Sequence, residues 1–471
     1  MVKIFGHHVP IWAPFALVSD LLMCFAAILV ADARVPINEF GATRPFAHPD
    51  VLLWAAAFAV FMAMLYAFFG LYRQGAIQVS LSALLRRSLV AVFIGSAIAY
   101  AALDQDSTRS HTLVLLLYSV PLMAIGVLSV RALGHLARSA DVGARRVLIV
   151  GTGTDARSVA SDLSLPGRRR HGVVGFYRTS HEGEDNGAVG DMSLPVFDAR
   201  TSLADIVKAY RVDEIIVAVR EQRGGAVPMD ELLACRIRGT KVMDLAGFFE
   251  RVRGEVPTDS LKTSWLVYGH GFVQHSVRAA IKRAFDVVMS TLLLAIASPL
   301  MVITAIAIKL ESPGPILYRQ QRVGLRGRHF MCIKFRSMSV DAEKDGVARW
   351  ATKRDARVTR VGAFIRKCRI DELPQLISVL RGEMSLIGPR PERQTFVDQL
   401  RQEIPFYDLR HSVKPGVTGW AQVRYGYCAT VEDAKRKHQF DLYYVKNHSL
   451  FLDVLVLFET VSVVLFREGA Q

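Results

Sequence analysis

Cysteine is scarce in this 471-residue chain, and the five present (Cys24, Cys235, Cys332, Cys368 and Cys428) are odd in number, scattered, and form no Cys-x-x-Cys pair. This excludes a disulfide framework and a zinc site of the usual spacing, and leaves reduced, structural thiols facing a cytoplasmic compartment. Histidine is as uninformative: there is no His-Glu-x-x-His motif, and His7-His8 reads as a solvated pair rather than a metal site. No tyrosine is followed four residues on by lysine, which removes the catalytic pair that an NAD-dependent UDP-sugar dehydratase or epimerase would need. Helix-turn-helix, RNA-recognition and zinc-finger patterns are missing too, so no nucleic acid is expected as a partner. A cleavable leader is not expected either, because the first apolar stretch has a weakly basic start, carries Asp20, and reaches Ala31-Asp32 without a small-residue cleavage site.

What the chain has in quantity is apolar side chain, at 51% of residues, together with a positive mean hydropathy, and that points to a membrane protein. Lys plus Arg exceed Asp plus Glu by 58 to 43, a balance suited to anionic headgroups or phosphorylated small molecules. Four apolar stretches open the sequence: Ile11 to Ala31, Val51 to Leu71, Ser88 to Leu103 and Thr112 to Val130. About 20 helical residues cross a bilayer core of roughly 30 Å, so residues 1–140 are expected to form a bundle of four spans. Lys3, Arg73, Arg86, Arg87, Arg131, Arg138, Arg145 and Arg146 fall on one side, against Arg34, Arg44 and Arg109 on the other. Both ends of the bundle are therefore expected in the cytoplasm.

From Arg146 to Leu245 the texture changes to short β-branched runs between polar helical segments: Val147 to Val150, Val173 to Tyr177, Glu214 to Val219 and Lys241 to Leu245. This alternation predicts a Rossmann-like α/β module with a mostly parallel sheet. The first strand ends in Gly151-Thr152-Gly153-Thr154-Asp155-Ala156, the shape of a dinucleotide turn, but the second ends in Tyr177-Arg178 where a ribose-binding acid belongs. A nucleotide site and a plain strand-to-helix turn both fit. A Gly- and charge-rich linker (residues 246–280) leads to a fifth apolar stretch, Ala284 to Ile308, interrupted by Ser298-Pro299. A full crossing there would export the basic segment that follows, in which 15 Lys or Arg stand against 4 Asp or Glu between Arg319 and Arg369. The expectation is a re-entrant helix that enters the cytoplasmic leaflet, breaks at Ser298-Pro299 and returns. The backbone freed at the break would take a local partner such as Ser298.

A series of motifs then follows in fixed order: Lys282-Arg283-Ala284-Phe285-Asp286, Ser312-Pro313-Gly314-Pro315, Gln321-Arg322-Val323-Gly324, Lys334-Phe335-Arg336-Ser337-Met338, Asp371-Glu372-Leu373-Pro374-Gln375-Leu376, Gly388-Pro389-Arg390-Pro391, and Lys414-Pro415-Gly416-Val417-Thr418-Gly419-Trp420. In this order they resemble the bacterial sugar transferase family of monotopic phosphoglycosyl transferases over about the last 190 residues (281–471). The amino-terminal half resembles that of the family's large members. The fold class so implied is a membrane helical bundle, a Rossmann-like α/β domain, and a membrane-embedded α/β catalytic domain with a re-entrant helix at 284–308. The implied activity is transfer of hexose 1-phosphate from a UDP-sugar, glucose or galactose in most large members, to undecaprenyl phosphate. UMP is released at the cytoplasmic face of the bacterial inner membrane, as the first membrane step of exopolysaccharide, capsule or O-antigen assembly. A membrane scaffold or regulator with a nucleotide-sensing α/β module is the alternative, and that module could equally mediate a homodimer.

Adjacent carboxylates repel, so Asp371-Glu372 needs a cation or a helix N-terminus beside it, and Pro374 suits the first turn of a following helix. A carboxylate can attack phosphorus and split a transfer between two bulky substrates into two steps. The resemblance makes Asp371 the nucleophile and gives Glu372, with Asp371, a part in holding Mg2+ (or Mn2+). Arg390 is stiffened between Pro389 and Pro391, and the resemblance assigns it to the UDP phosphates or the uridine side, a structural ion pair being the alternative. Lys334 and Arg336, two apart on a predicted strand, are expected on one face, where they could stabilise the transferring phosphoryl group. Arg357 and Arg360 are candidates that lipid contact would explain equally well, and Gly416, Thr418, Gly419 and Gln422 are expected to line the pocket. Asn447-His448-Ser449 departs from the family's usual Asn-Trp-Ser and puts the packing there in question. The last apolar run, Leu450 to Phe466, carries Asp453 and Glu459 and reads as an interfacial amphipathic helix, a sixth span being the alternative.

Overall fold

The computed structural model describes residues 2–4, 7–9, 12–33, 49–72, 81–103, 109–139, 145–164, 171–179, 189, 192–219, 227–258, 271–272, 276–340, 342, 357–426 and 430–466. Arg34, Arg44, Arg73 and Cys428 lie outside the described residues. Two compact units emerge, residues 1–2 with 9–248 and residues 3–8 with 249–471. The chain begins with a two-stranded pair, β1 (Val2–Ile4) and β2 (His7–Val9).

In the first unit the apolar stretches form helices Trp12–Asp32, Pro49–Phe68, Leu81–Leu103 and Arg109–Ser139. Each packs on the next and the fourth closes on the first. All four are long and apolar enough to cross a membrane. Arg131 is not the free flanking cation expected. The last helix continues past Val130, so Arg131 is carried into the bundle and buried, where it ion-pairs with Asp20 at 2.5 Å, and the Tyr72 hydroxyl donates to the same carboxylate at 2.7 Å. An ionised pair in an apolar interior is held by such compensation.

The α/β module has the expected parallel sheet. Strands β3 (Arg145–Val150), β4 (His171–Tyr177), β5 (Val196–Phe197), β6 (Glu214–Val217) and β7 (Lys241–Asp244) lie in the order β5-β4-β3-β6-β7, with every pair parallel. β3 and β6 are central, and their apolar residues are buried on both faces. Gly151 follows β3 where the strand order reverses, at a φ of +115° that an L-residue resists, and its N–H donates to the Tyr177 carbonyl at 2.8 Å.

The described start of the linker, residues 246–258, carries regular structure. Residues Leu245–Val252 form a helix, Glu250 accepts from Lys446 at 2.7 Å and from Asn447 at 2.9 Å, and Trp420 donates to the Gly254 carbonyl at 2.7 Å. These contacts draw residues 249–258 into the second unit.

The second unit opens with helix Ser276–Glu311, continuous through Pro299. Pro299 has no N–H for the Ala295 carbonyl, and the Ser298 hydroxyl donates to that oxygen instead, at 2.8 Å. At the start of this helix, Arg283 donates to the Val379 and Leu380 carbonyls (2.6 and 2.7 Å), and Asp286 accepts from Ser385 Oγ and Leu386 N. Near its end, Met301, Ala305 and Ile308 pack with Phe335, Ile365 and Ile370. Residues 295–300 between them are exposed, save a half-buried Ala297. Both flanks therefore meet the same body while the proline segment stands clear of it.

That body holds an antiparallel hairpin, β8 (Leu317–Val323) with β9 (His329–Phe335), and a parallel pair, β10 (Ser385–Ile387) with β11 (Gly416–Thr418). Its core gathers Val379, Met384, Ile387, Trp420, Leu442, Tyr443, Tyr444, Leu452 and Val456, side chains worth roughly 1.5–3 kcal/mol each when fully buried. The final helix, Leu450–Phe466, packs one face into this core. Asp453 is buried, accepts from Tyr444 (2.7 Å) and ion-pairs with Lys282 (3.0 Å), and Glu459 is buried against Arg424 (2.8 Å). The acids that suggested a polar outer face point inward. His7 is likewise not solvated: it is buried, bonded to the Tyr443 hydroxyl at 2.6 Å and edge-on to the Trp420 ring. His448, at the family departure, is buried and bonded to the Val445 carbonyl, and Ser449 Oγ accepts from Leu452 N.

Candidate active site

Helix Arg360–Lys367 is capped by the Thr359 side chain, which accepts from Gly362 N. It ends at a turn in which Arg369 takes a left-handed φ of +59°. That reversal throws Ile370–Glu372 into a single 3-10 turn, and Pro374 then caps helix Gln375–Arg381. Pro fits there because the N–H it lacks has no intrahelical acceptor. Asp371 and Glu372 thus sit at the head of a helix, as expected, and both are buried.

Three cations surround the pair. Glu372 Oε1 accepts from Arg390 Nη2 at 2.7 Å and from Lys334 Nζ at 3.0 Å, and Arg369 reaches Glu372 Oε2 at 3.7 Å. Burial alone raises the Glu372 carboxyl, but Arg390, Lys334 and Arg369 together outweigh it and hold the group well below the usual carboxylate range. Asp371 moves the other way, pushed up by burial and by the neighbouring Glu372 charge against the pull of Lys334, Arg390 and Arg369. Arg390 is raised by the Glu372 charge. One Asp371 oxygen, Oδ1, is buried and without a hydrogen-bond partner. The two carboxylates therefore divide the work: Glu372 is fixed by charge-assisted bonds, while Asp371 keeps an oxygen for something else. Lys334 and Arg390 also line a recess with Arg322, Cys332, Gln375 and Pro391.

This oxygen bears on the metal the family implies. Mg2+ is typically held by one or two carboxylates with waters and substrate phosphates completing its shell. Asp371 Oδ1 beside Glu372 is a fitting donor set of that kind, and no group of three or more His, Cys, Asp or Glu able to hold a metal exists among the described residues.

The remaining candidates separate. Lys334 lies near the end of β9, but Arg336 falls just beyond the strand, where the two-residue alternation no longer applies. Its buried guanidinium instead donates to the Ser312 and Pro313 carbonyls (both 2.8 Å) and to Ser312 Oγ (2.9 Å), closing the end of the proline-bearing helix. Arg357 donates to the Ala342 carbonyl, and Arg360 opens a helix whose Val361 N–H is accepted by Glu311. Gly416 and Gly419 pack against backbone: a Cβ on either would fall on Gly388, and one on Gly388 would fall on the Lys414 carbonyl. Thr418 Oγ1 pairs with Thr460 Oγ1 at 2.8 Å, and Gln422 donates to the Val417 carbonyl. The glycine-rich segment thus supports the Pro389-Arg390-Pro391 loop from behind, with Gly416 N donating to the Pro389 carbonyl at 2.9 Å. Arg322, Arg369 and Arg410 were not singled out from the sequence. Arg322 lay inside a recognised motif, whereas nothing in the local sequence marks Arg410.

The family model described as "Bacterial sugar transferase" matches residues 277–467, and one described as "CoA-binding domain" matches residues 67–227. The chain is 44% identical over 263 residues to the UDP-N-acetylgalactosamine-undecaprenyl-phosphate N-acetylgalactosaminephosphotransferase of Aeromonas hydrophila, a match covering 56% of this chain and 61% of that protein. The match thus spans about three fifths of that relative's length. The UDP-glucose:undecaprenyl-phosphate glucose-1-phosphate transferase of Xanthomonas campestris pv. campestris is 31% identical over 470 residues, 96% of this chain and 93% of its own. The undecaprenyl-phosphate galactose phosphotransferase of Salmonella typhimurium is 32% identical over 360 residues, 71% of each chain. With its motifs in order, its buried carboxylate pair ringed by cations, and a relative matched nearly end to end, the chain belongs to the bacterial sugar transferase family.

Proposed function

We propose that this protein transfers a sugar 1-phosphate from a UDP-sugar to undecaprenyl phosphate at the cytoplasmic face of the bacterial inner membrane, with Asp371 as a covalent relay. The observation that carries the reading is the buried, unpartnered Asp371 Oδ1 beside a Glu372 held by Lys334 and Arg390. An Asp371 oxygen attacks the β-phosphorus of the UDP-sugar, the bond from that phosphorus to the bridging oxygen breaks, and UMP leaves. A phosphate oxygen of undecaprenyl phosphate then attacks the same phosphorus, the acyl phosphate bond breaks, and Asp371 is regenerated with an undecaprenyl diphosphate sugar as product. Splitting the transfer lets each bulky substrate approach in turn.

Lys334 and Arg390 face the recess into which the diphosphate would enter, and there they oppose charge building on the phosphoryl oxygens. Asp371, Glu372 and substrate phosphate would hold Mg2+ (or Mn2+), which when bound neutralises diphosphate charge and polarises the phosphorus. Helix Ser276–Glu311 is read as re-entrant. This is supported by its two flanks meeting one body, its exposed apolar centre, and the basic segment after it, which a full crossing would export. The curated relatives are named for N-acetylgalactosamine, glucose and galactose, so the donor is proposed as a UDP-hexose or UDP-N-acetylhexosamine, for the first membrane step of a surface polysaccharide.

The test is nucleotide release from nanodisc-held protein given Mg2+, undecaprenyl phosphate and each UDP-sugar in turn, with Asp371→Asn alongside. Lipid-dependent UMP release that disappears in the variant is expected. Release of UDP, or UMP release that survives Asp371→Asn, would overturn the covalent route.

A further inference from the structure

The loop that carries Arg390 is held at every carbonyl across four consecutive residues. Pro389 O accepts from Gly416 N (2.9 Å), Arg390 O from Arg410 Nη2 (2.8 Å), Pro391 O from Arg322 Nη1 (3.0 Å), and Glu392 O from Val323 N (3.0 Å). Two of these donors are arginine side chains from different elements, β8 and the 3-10 turn Tyr407–Ser412. Arg410 is the more deeply buried. Its guanidinium also ion-pairs with Asp441 at 2.9 Å, donates to the Tyr407 hydroxyl at 2.6 Å, and lies over that ring. Asp441, on helix Val431–Asn447, is itself buried.

A buried ion pair is a poor device for stability, because desolvating both charges consumes most of their attraction and an apolar pair of similar volume often does as well. What an apolar pair cannot supply is a planar guanidinium whose Nη2 meets a carboxylate and a chosen main-chain carbonyl together, while Nη1 is tied to a hydroxyl. That carbonyl belongs to the residue whose side chain grips Glu372 at 2.7 Å. We propose that Arg410, anchored by Asp441, is a positioning residue that aims the Arg390 guanidinium at Glu372 and at the incoming diphosphate. Arg410 does not touch the reacting atoms; it acts through the Arg390 backbone. The inference rests on the transfer reaction proposed above.

A double-mutant cycle on UMP release by the full chain tests this. Arg410→Met is expected to lower kcat/KM about 100-fold, the order of loss that a misplacement of about 1 Å produces. In an Arg390→Ala background the same change is expected to cost less than about twofold, because no guanidinium remains to be aimed. Equal losses in the two backgrounds would show that Arg410 acts generally on the fold and would overturn the proposal. Arg410→Met leaves Asp441 buried without its partner, so Arg410→Met/Asp441→Leu is carried through the same cycle. Its thermal unfolding midpoint is expected near that of the wild type with the loss of kcat/KM retained, and a stable, fully active double variant would equally overturn the proposal. Failure of the underlying reading looks different: the wild type would then show no Asp371-dependent UMP release.

Discussion

Replacing Gly416 by alanine distinguishes two roles for the glycines around the Arg390 loop. If they line a substrate pocket, a methyl group there weakens donor binding and leaves the fold alone. The structure instead places an added Cβ at Gly416 on the backbone of Gly388 and Thr418, which cannot rotate out of the way as a side chain could. Overpacking of this kind costs roughly 1–3 kcal/mol. At about 2–4 °C per kcal/mol for a unit of this size, the unfolding midpoint should fall by about 2–12 °C. Chemistry should suffer further, because Gly416 N holds the Pro389 carbonyl next to Arg390, and a shift of about 1 Å there is worth about 100-fold in kcat. Gly153→Ala is the control: its Cβ would meet no heavy atom within 4 Å, and a change within about 0.5 kcal/mol is expected. Intrinsic-fluorescence melting and UMP release, measured on the same preparations, give both readouts. If Gly416→Ala melts with the wild type and changes only the KM for the donor, the backbone interlock is wrong and the lining role is right.

Arg336→Met should destabilise the protein by about 1–3 kcal/mol, since it removes the guanidinium bonds to Ser312 and Pro313, each worth roughly 0.5–1.5 kcal/mol, while the KM of the remaining folded enzyme stays unchanged; a selective rise in donor KM would return Arg336 to the substrate site. His7→Ala removes a buried bond to Tyr443 and an edge contact with Trp420, and should lower stability by about 1–2 kcal/mol; an unaltered thermal midpoint would refute the seating of the N-terminal segment.

The sequence alone determined the elements and the chemical endowment. Helix length is set by apolar run length, so the four spans could be counted, and strand alternation with β-branched runs placed the parallel sheet. The Asp371-Glu372 pair, Lys334 and Arg390 stood out because they fall in a series of motifs whose order resembles the bacterial sugar transferase family; by itself an Asp-Glu pair reads as an ordinary helix start. What only the tertiary structure decided is which groups meet. Arg131, Asp453 and Glu459 looked like solvent-facing charges because burial depends on partners far along the chain, and Asp20, Lys282 and Arg424 supply those partners. Arg336 left the site because its strand ends one residue earlier, and Arg410 entered the argument because its acceptor is a backbone carbonyl 20 residues away. A main-chain carbonyl has no residue type, so no pattern of letters could have announced it.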